Sequence, residues 1–471
     1  MPAQILLQGV LPGIEDFLLA APSDRDNRVF ETRLMWAATL AEVLPRALLA
    51  HLTLPPILLG SSDLSGFIVI LPDQARADAA GEFLSRTADK LREITGGLIR
   101  LIWSSTENLG DWTVVRKRLS DGLRERERQR VLTAGFFDAF DEPTAPPDVL
   151  PRGLRDATQV GWSFDFPALI SAEGGEHRWD LGNQASTSNI ALTRHAARNG
   201  GAVASVKELA KRAEGRKLWG VLRGQIDDFA TRMRRLHTVE EHVQFSMLYK
   251  QFVAGEIELL CSHGDFFQRV TVLYCGSSEF AICGSWDALA GFARELQRVF
   301  ARFAEENLKE LPGAEAKTTT MAISIASAGE GLARVWEDCG QDLGIARAAD
   351  KDCLYMLGRV LEWKQMNDAA DLKDAIVRLN EEFRGGRVFL SQLRNLYKKL
   401  EGPERGDVDR LMARAARFQR RFARVATRRE REFQKLRSHL MKEMAGRSER
   451  GKLKLRPEGL VALEWARLVE D

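Results

Sequence analysis

Tyr274–Trp286 reads YCGSSEFAICGSW. Just ahead of it, Gln268–Leu273 alternates apolar with polar or threonine positions and is rich in branched side chains, the pattern of a half-buried strand. Gly276-Ser277-Ser278 supplies turn chemistry, because glycine tolerates positive φ and serine hydroxyls bond their own backbone. Glu279–Cys283 resumes as a short apolar strand, so the stretch predicts a β-hairpin. Ser285 stands where a helix begins, and its hydroxyl is expected to accept a first-turn N–H. Beyond it, Leu289, Phe292, Leu296, Val299 and Phe303 recur at helical spacing. The hairpin's polar turn carries serines rather than acids.

Working outward, residues 217–364 form one α/β module around this hairpin. Leu218–Leu222 is a predicted strand running into Gly224–Phe229, and Val239–Leu260 a helix with Val243, Met247, Tyr249 and Phe252 among its apolar positions. Thr318–Ile325 is a strand, Gly329–Ala348 a helix and Cys353–Leu357 a last strand. Residues 1–135 repeat the plan. Gln4–Gln8 is a strand, Glu31–Leu49 a helix, Ile57–Leu59 and Phe67–Leu71 two strands about a polar turn, Ala75–Ile94 a helix and Leu98–Trp103 a strand. Gly60-Ser61-Ser62-Asp63 in the first module answers Gly276-Ser277-Ser278-Glu279 in the second, which suggests internal duplication. The order strand–helix–strand–turn–strand–helix–strand is that of a ferredoxin-like or palm domain. The fold class is therefore α+β, with two palm modules.

Between them, residues 136–216 open on the proline-rich DEPTAPPDVLP and continue glycine- and serine-rich, as a small loop-rich inserted domain would. His177 and His195 lie there without partners at ligand spacing and read as surface histidines. Residues 365–471 read as a basic helical bundle, with Asn367–Asp471 helical. Leu411, Ala415, Phe418, Phe422 and Val425 make an apolar stripe, continued by Phe433, Leu436, Leu440 and Met444. Arg414, Arg417, Arg421, Arg424, Arg428, Arg431 and Lys435 run beside it by threes and fours. Seven cations over about 30 Å of helix repel one another unless an anion lies along them; a phosphate backbone is one reading and a solvated arginine face the other.

The 471 residues suit two to four domains at roughly 100–200 residues each, and 45% apolar with 28% charged residues is a globular mixture. A net charge of +2 hides an asymmetry, since from Arg384 to Arg456 cations outnumber acids about three to one, which favours a polyanion partner. No apolar run approaches the ~20 residues that span a bilayer, and the N-terminus lacks a basic signal region, so no membrane partner is expected. The five cysteines are dispersed and form no CxxC pair, which speaks against a disulfide frame or a zinc ribbon and for a reduced, cytoplasmic home.

These motifs together resemble those of the large, polymerase/cyclase-like subunit of type III CRISPR effector complexes. That family's second palm reads approximately DVDNLG on the first strand, YxGGDDLFIVGxW at the hairpin and DKNxxxxFGxxxxW near the last strand. Here the counterparts are GQIDDFA at Gly224–Ala230, YCGSSEFAICGSW at Tyr274–Trp286 and DKDCLYMLGRVLEW at Asp350–Trp363. QGVLPGIEDFLL resembles the family's N-terminal signature through Gly13, Ile14 and Phe17, with Val10 where an Asp is usual, and LRPEGLVALEWARL fits its closing bundle.

An active palm of this family is expected to make cyclic oligoadenylate from ATP with two magnesium ions held by carboxylates. Magnesium wants hard anionic oxygens, and several acids must offset the repulsion between two ions. The resemblance places Gln225 at the first acid and Asp227 at the second, with Asp228 beside it. At the hairpin Ser277 and Ser278 replace the glycine and first acid, and Glu279 lengthens the second. Loss of one preorganised charge clamp costs ~10²–10³ in rate. The reading is of a catalytically degenerate subunit, with no metal or cofactor expected and Asp227 and Glu279 left as surface acids at a cleft rim. The alternative is a still-active nucleotidyltransferase using Mg and ATP through Asp227, Asp228 and Glu279. With no His-Asp dipeptide and no room before Gln8, an HD nuclease domain is not expected. The implied partners are crRNA and target RNA, a tag-binding RRM-like subunit and small helical subunits, in antiviral defence.

Overall fold

The computed structural model describes residues 4–20, 27–133, 149–182, 189–310, 313–382, 391, 394, 428–447 and 453–470. The first module contains β1 (Ile5–Val10), α1 (Ile14–Leu19), α2 (Asn27–His51), β2 (Leu59–Asp63), β3 (Gly66–Leu71), α3 (Gln74–Thr95), β4 (Ile102–Glu107) and α4 (Trp112–Thr133). The insert follows with β5 (Gln159–Trp162), β6 (Ile170–Ser171), β7 (His177–Gly182), β8 (Asn189–Ala191), β9 (Arg198–Asn199), β10 (Ala202–Val203) and α5 (Val206–Lys211). The second module has β11 (Leu218–Ile226), α6 (Phe229–Arg234), α7 (Val239–Ser262), β12 (Val270–Cys275), β13 (Glu279–Ser285), α8 (Trp286–Asn307), β14 (Thr319–Ser327), α9 (Leu332–Ala349), β15 (Cys353–Met356) and β16 (Arg359–Glu362). The chain closes with α10 (Trp363–Glu382), α11 (Arg428–Met444), β17 (Ala445–Arg447), β18 (Leu453–Leu455) and α12 (Pro457–Glu470).

The repeat is a topological fact. The first sheet runs β2-β3-β1-β4 and the second β12-β13-β11-β14, continued by β15-β16. In both, the hairpin pairs antiparallel to the module's first strand, and the strand after the next helix flanks that strand on its other side. The two modules are fused by a shared core, in which Leu18, Phe30 and Leu34 of the first pack with Trp219, Val221 and Trp336 of the second. Phe30 and Trp336 meet at 5.5 Å between ring centroids. Gly13, with φ 92, turns β1 into α1 so close to the Leu98 carbonyl that a Cβ would lie 2.0 Å from it, which explains the glycine there.

Several sequence expectations are corrected. Gly60–Asp63 is strand, not turn: the first hairpin turns at Leu64-Ser65 between Asp63 and Gly66, whereas Gly276–Ser278 is itself the turn of the second. Ile57 and Leu58 lie in a 3-10 turn entered through Pro55-Pro56, so the strand begins only at Leu59. Gly96 and Gly97, both at positive φ, prolong the turn after α3 and delay β4 to Ile102. Leu357 and Gly358, also at positive φ, turn the chain back into β16, which the sequence did not reveal. Met247 is 48% exposed rather than a core position of α7. The insert is more ordered than its composition suggested, with a β6-β5-β7-β8 sheet. The closing segment carries a two-stranded ribbon, β17–β18, besides its helices. There, Leu440 and Met444 of α11 pack with Leu372 and Ile376 of α10 and with Ala462 and Ala466 of α12.

Ser285 precedes α8 as expected, but its hydroxyl makes no capping bond; fully buried, it donates to the Leu209 carbonyl at 2.7 Å and ties α5 to the second sheet. No described helix is long and apolar enough to cross a membrane.

Candidate functional site at the palm–palm cleft

A cleft of about 920 Å³ opens between the two modules, and Gln225, Asp227, Asp228, Ser277, Ser278 and Glu279 all line it. The topology explains this convergence. β11 runs down the middle of its sheet with Gln225 opposite Glu279 on one side and Thr320 on the other, so the strand's end and the hairpin's turn emerge together. The Ile226 N–H donates to the Ser278 carbonyl at 2.8 Å and locks that juxtaposition. Asp63, at the first module's hairpin, lines the cleft from the opposite wall.

Asp227 is not a rim acid. It is 4% exposed, and three protein donors satisfy its carboxylate. Oδ1 accepts from the Thr320 hydroxyl at 2.7 Å, while Oδ2 accepts from the Thr318 hydroxyl at 2.8 Å and the Asp352 N–H at 3.0 Å. Asp228 starts α6 with φ 53, in the left-handed region that Asp tolerates better than most residues. Its Oδ2 lies 2.5 Å from Lys351 Nζ. Glu279 does face the open cleft. Loss of hydration pushes its carboxyl up; Arg223 and Arg347 oppose that shift, while Asp63 and Glu15 add to it. Burial likewise raises Asp352, followed by the charges of Asp227, Asp350 and Glu362.

These residues do not fit a pair of divalent ions. The buried acid is turned inward to neutral donors, its neighbour holds an ammonium, and the hairpin turn offers hydroxyls. Magnesium gives up its water reluctantly and needs anionic oxygens aimed at it. Among the described residues, no group of three or more His, Cys, Asp and Glu is placed to hold a metal ion.

Sequence reasoning missed much of the cleft wall. Arg116 of α4, His242 and Ser246 of α7, Arg347 of α9 and Lys351 all line it. His242 is 9% exposed, and its pKa falls to about 4 because burial disfavours the charged ring, with the Arg116 charge a second cause. Its ring packs edge-on to Trp112 at 5.3 Å. No periodicity distinguishes these residues; only Asp350–Asp352 lay within a motif already singled out.

A buried link holds the modules in register beside the cleft. Glu42 of α2 accepts from Arg46 at 3.0 Å, from the Ser62 hydroxyl at 2.9 Å and from Lys250 of α7 at 2.5 Å. Burial alone would raise the Glu42 carboxyl, but Lys250 and Arg46, helped by Ser62, hold it below its usual range. His177 and His195 are not among the residues lining this cleft. They are half-buried rather than superficial, with one His195 ring nitrogen 3.0 Å from the Phe267 carbonyl.

Of the cationic stripe, Arg414, Arg417, Arg421 and Arg424 lie outside the described residues. Arg428 opens α11, and Arg431 and Lys435 are exposed on it.

Fold and cleft together define a protein of two fused palm domains. Residues 218–355 match the family model described as the second palm domain of Cas10/Cmr2. Among solved structures, the chain is similar to a Csm1-Csm4 cassette in complex with cA4, with a TM-score of 0.72 at 15% identity over 100% of this chain and 70% of that one. It is also similar to Csm1 in T. onnurineus, with a TM-score of 0.71 at 13% identity over 99% and 70%. A Csm1-Csm4 subcomplex of the type III-A CRISPR-Csm interference complex gives a TM-score of 0.70 at 15% identity over 100% and 70%. No curated protein sequence matches the chain. The resemblance read from the motifs thus extends to fold.

Proposed function

We propose that this chain is an architectural large subunit of a type III CRISPR ribonucleoprotein, catalytically degenerate in its second palm. The single observation that carries this reading is the state of Asp227, a buried carboxylate turned to Thr318, Thr320 and the Asp352 amide where a two-metal site would need it free. Its task is to cap the assembly at the end bearing the crRNA 5′ tag and to set cations of the closing segment, Arg431 and Lys435 among those described, near guide and target RNA. An RRM-like subunit is its neighbour at the tag, as Csm4 accompanies Csm1 in similar structures, and small helical subunits stack on its helical end. It works in the cytoplasm, in antiviral defence.

Two measurements on the assembled complex test this. Deleting the subunit should abolish assembly or target binding; a deletion that leaves both unchanged overturns the reading. Incubation with labelled ATP, magnesium or manganese and target RNA should give no oligoadenylate. Product that disappears in Asp227→Ala and Glu279→Ala would establish the nucleotidyltransferase alternative instead.

A further inference from the structure

Lys351 and Asp352 do something in this cleft that the serines at the hairpin do not explain. Lys351 follows α9 at the cleft wall, and its ammonium reaches back to the carboxylate of Asp228, 2.5 Å away, at the start of α6. Two uncommon backbone states permit this contact. Asp228 takes φ 53 and presents its carboxylate to Lys351; Asp352 takes φ 56 and turns its N–H onto Asp227 Oδ2. Neither residue is a glycine, so the surrounding structure holds both against their ordinary preference. One dipeptide therefore engages both acids, the ammonium on Asp228 and the amide on Asp227.

We propose that Lys351 is a resident cation at Asp228, seated in the charge-balancing place that a divalent ion would need there. The inference rests on the reading that this cleft does not run two-metal chemistry, and it supplies a physical reason beyond the loss of hairpin acids. A tethered ammonium is always at high local concentration, whereas a dissolved ion must be captured and stripped of water. To enter beside Asp228, that ion must displace Lys351 from its carboxylate. The ammonium stays charged, because the Asp228 hydrogen bond first, and then the charges of Asp228, Asp227 and Glu315, raise its pKa. The cleft's charge balance is thus written into the chain and does not respond to magnesium supply.

Manganese(II) is the probe, with free ion followed by electron paramagnetic resonance on the full chain. Wild type and Lys351→Arg, which keeps a cation, should bind no more manganese than Asp228→Asn. Lys351→Met should gain a site roughly tenfold tighter or more, since it removes a unit charge beside the acids, and Lys351→Met/Asp228→Asn should lose it again. Circular dichroism of each variant shows that it is folded. Wild-type binding that Asp228→Asn removes overturns the inference, as does a folded Lys351→Met that gains nothing. The latter leaves the architectural reading intact, whereas oligoadenylate from the wild-type complex overturns that reading regardless of the manganese result.

Discussion

Asp227 and His242 show how one side chain's surroundings decide what it can do. Asp227 has the residue type a metal site needs but spends both oxygens on protein donors. On the proposed reading, restoring the missing acids should not by itself restore the chemistry. Gln225→Asp/Ser278→Asp in the assembled complex should still yield no oligoadenylate from labelled ATP, because Thr318, Thr320 and Asp352 continue to hold Asp227. His242 gives a pH signature. Its pKa is about 4 in the folded chain against 6.5 for a free ring, so between those values the unfolded chain binds a proton that the native one does not. Stability should fall as pH drops from 6.5 toward 4 and level off below, a total of roughly 3 kcal/mol from this group. Denaturant titrations of His242→Asn across that range should show a correspondingly flatter profile.

Among the elements, α2 and α7 bear the contact that sets one palm against the other. Glu42 and Lys250 keep only 6% and 15% of their side-chain surface exposed. Removing one partner of such a buried pair costs about 3–5 kcal/mol because the other charge is stranded. Arg46 remains beside Glu42, so Lys250→Met should cost about 3 kcal/mol in urea unfolding, at the low end of that range. Lys250→Met/Glu42→Gln should recover only part of the loss, since the under-compensated carboxylate is gone but Arg46 then loses its carboxylate partner. The α8 stripe illustrates what an element's own sequence can announce: Leu289, Phe292 and Leu296 are buried as their spacing required, with Val299 and Phe303 packed partly against the same core. Strand limits were less legible, because Pro55-Pro56, Gly96-Gly97 and Leu357-Gly358 bend the backbone in ways that alternation of side chains does not encode.

At the scale of the molecule, the sequence concentrates positive charge late in the chain, where cations outnumber acids about three to one between Arg384 and Arg456. If that segment tracks RNA phosphates, Arg431→Gln/Lys435→Gln should weaken RNA binding by the complex similarly for all sequences. The slope of log affinity against log salt should shrink by about 0.7 for each single-strand phosphate that is no longer neutralised. An unchanged slope would assign these two residues to protein acids or solvent.

The sequence by itself determined the duplicated α+β plan, because the order of apolar periods and turn residues recurs and each period admits only one kind of element. It also determined which acids the hairpin lacks, since Ser277 and Ser278 stand in a turn wherever the chain folds. Only the tertiary structure decided that Asp227 is buried and caged, that Lys351 rests on Asp228, and that Arg116 and His242 belong to the same cleft as Glu279. These pairings join residues more than a hundred positions apart in several cases, as between Asp227 and Asp352. Local periodicity carries no record of them; they come into being when two packed sheets bring strand ends and helix termini to one wall.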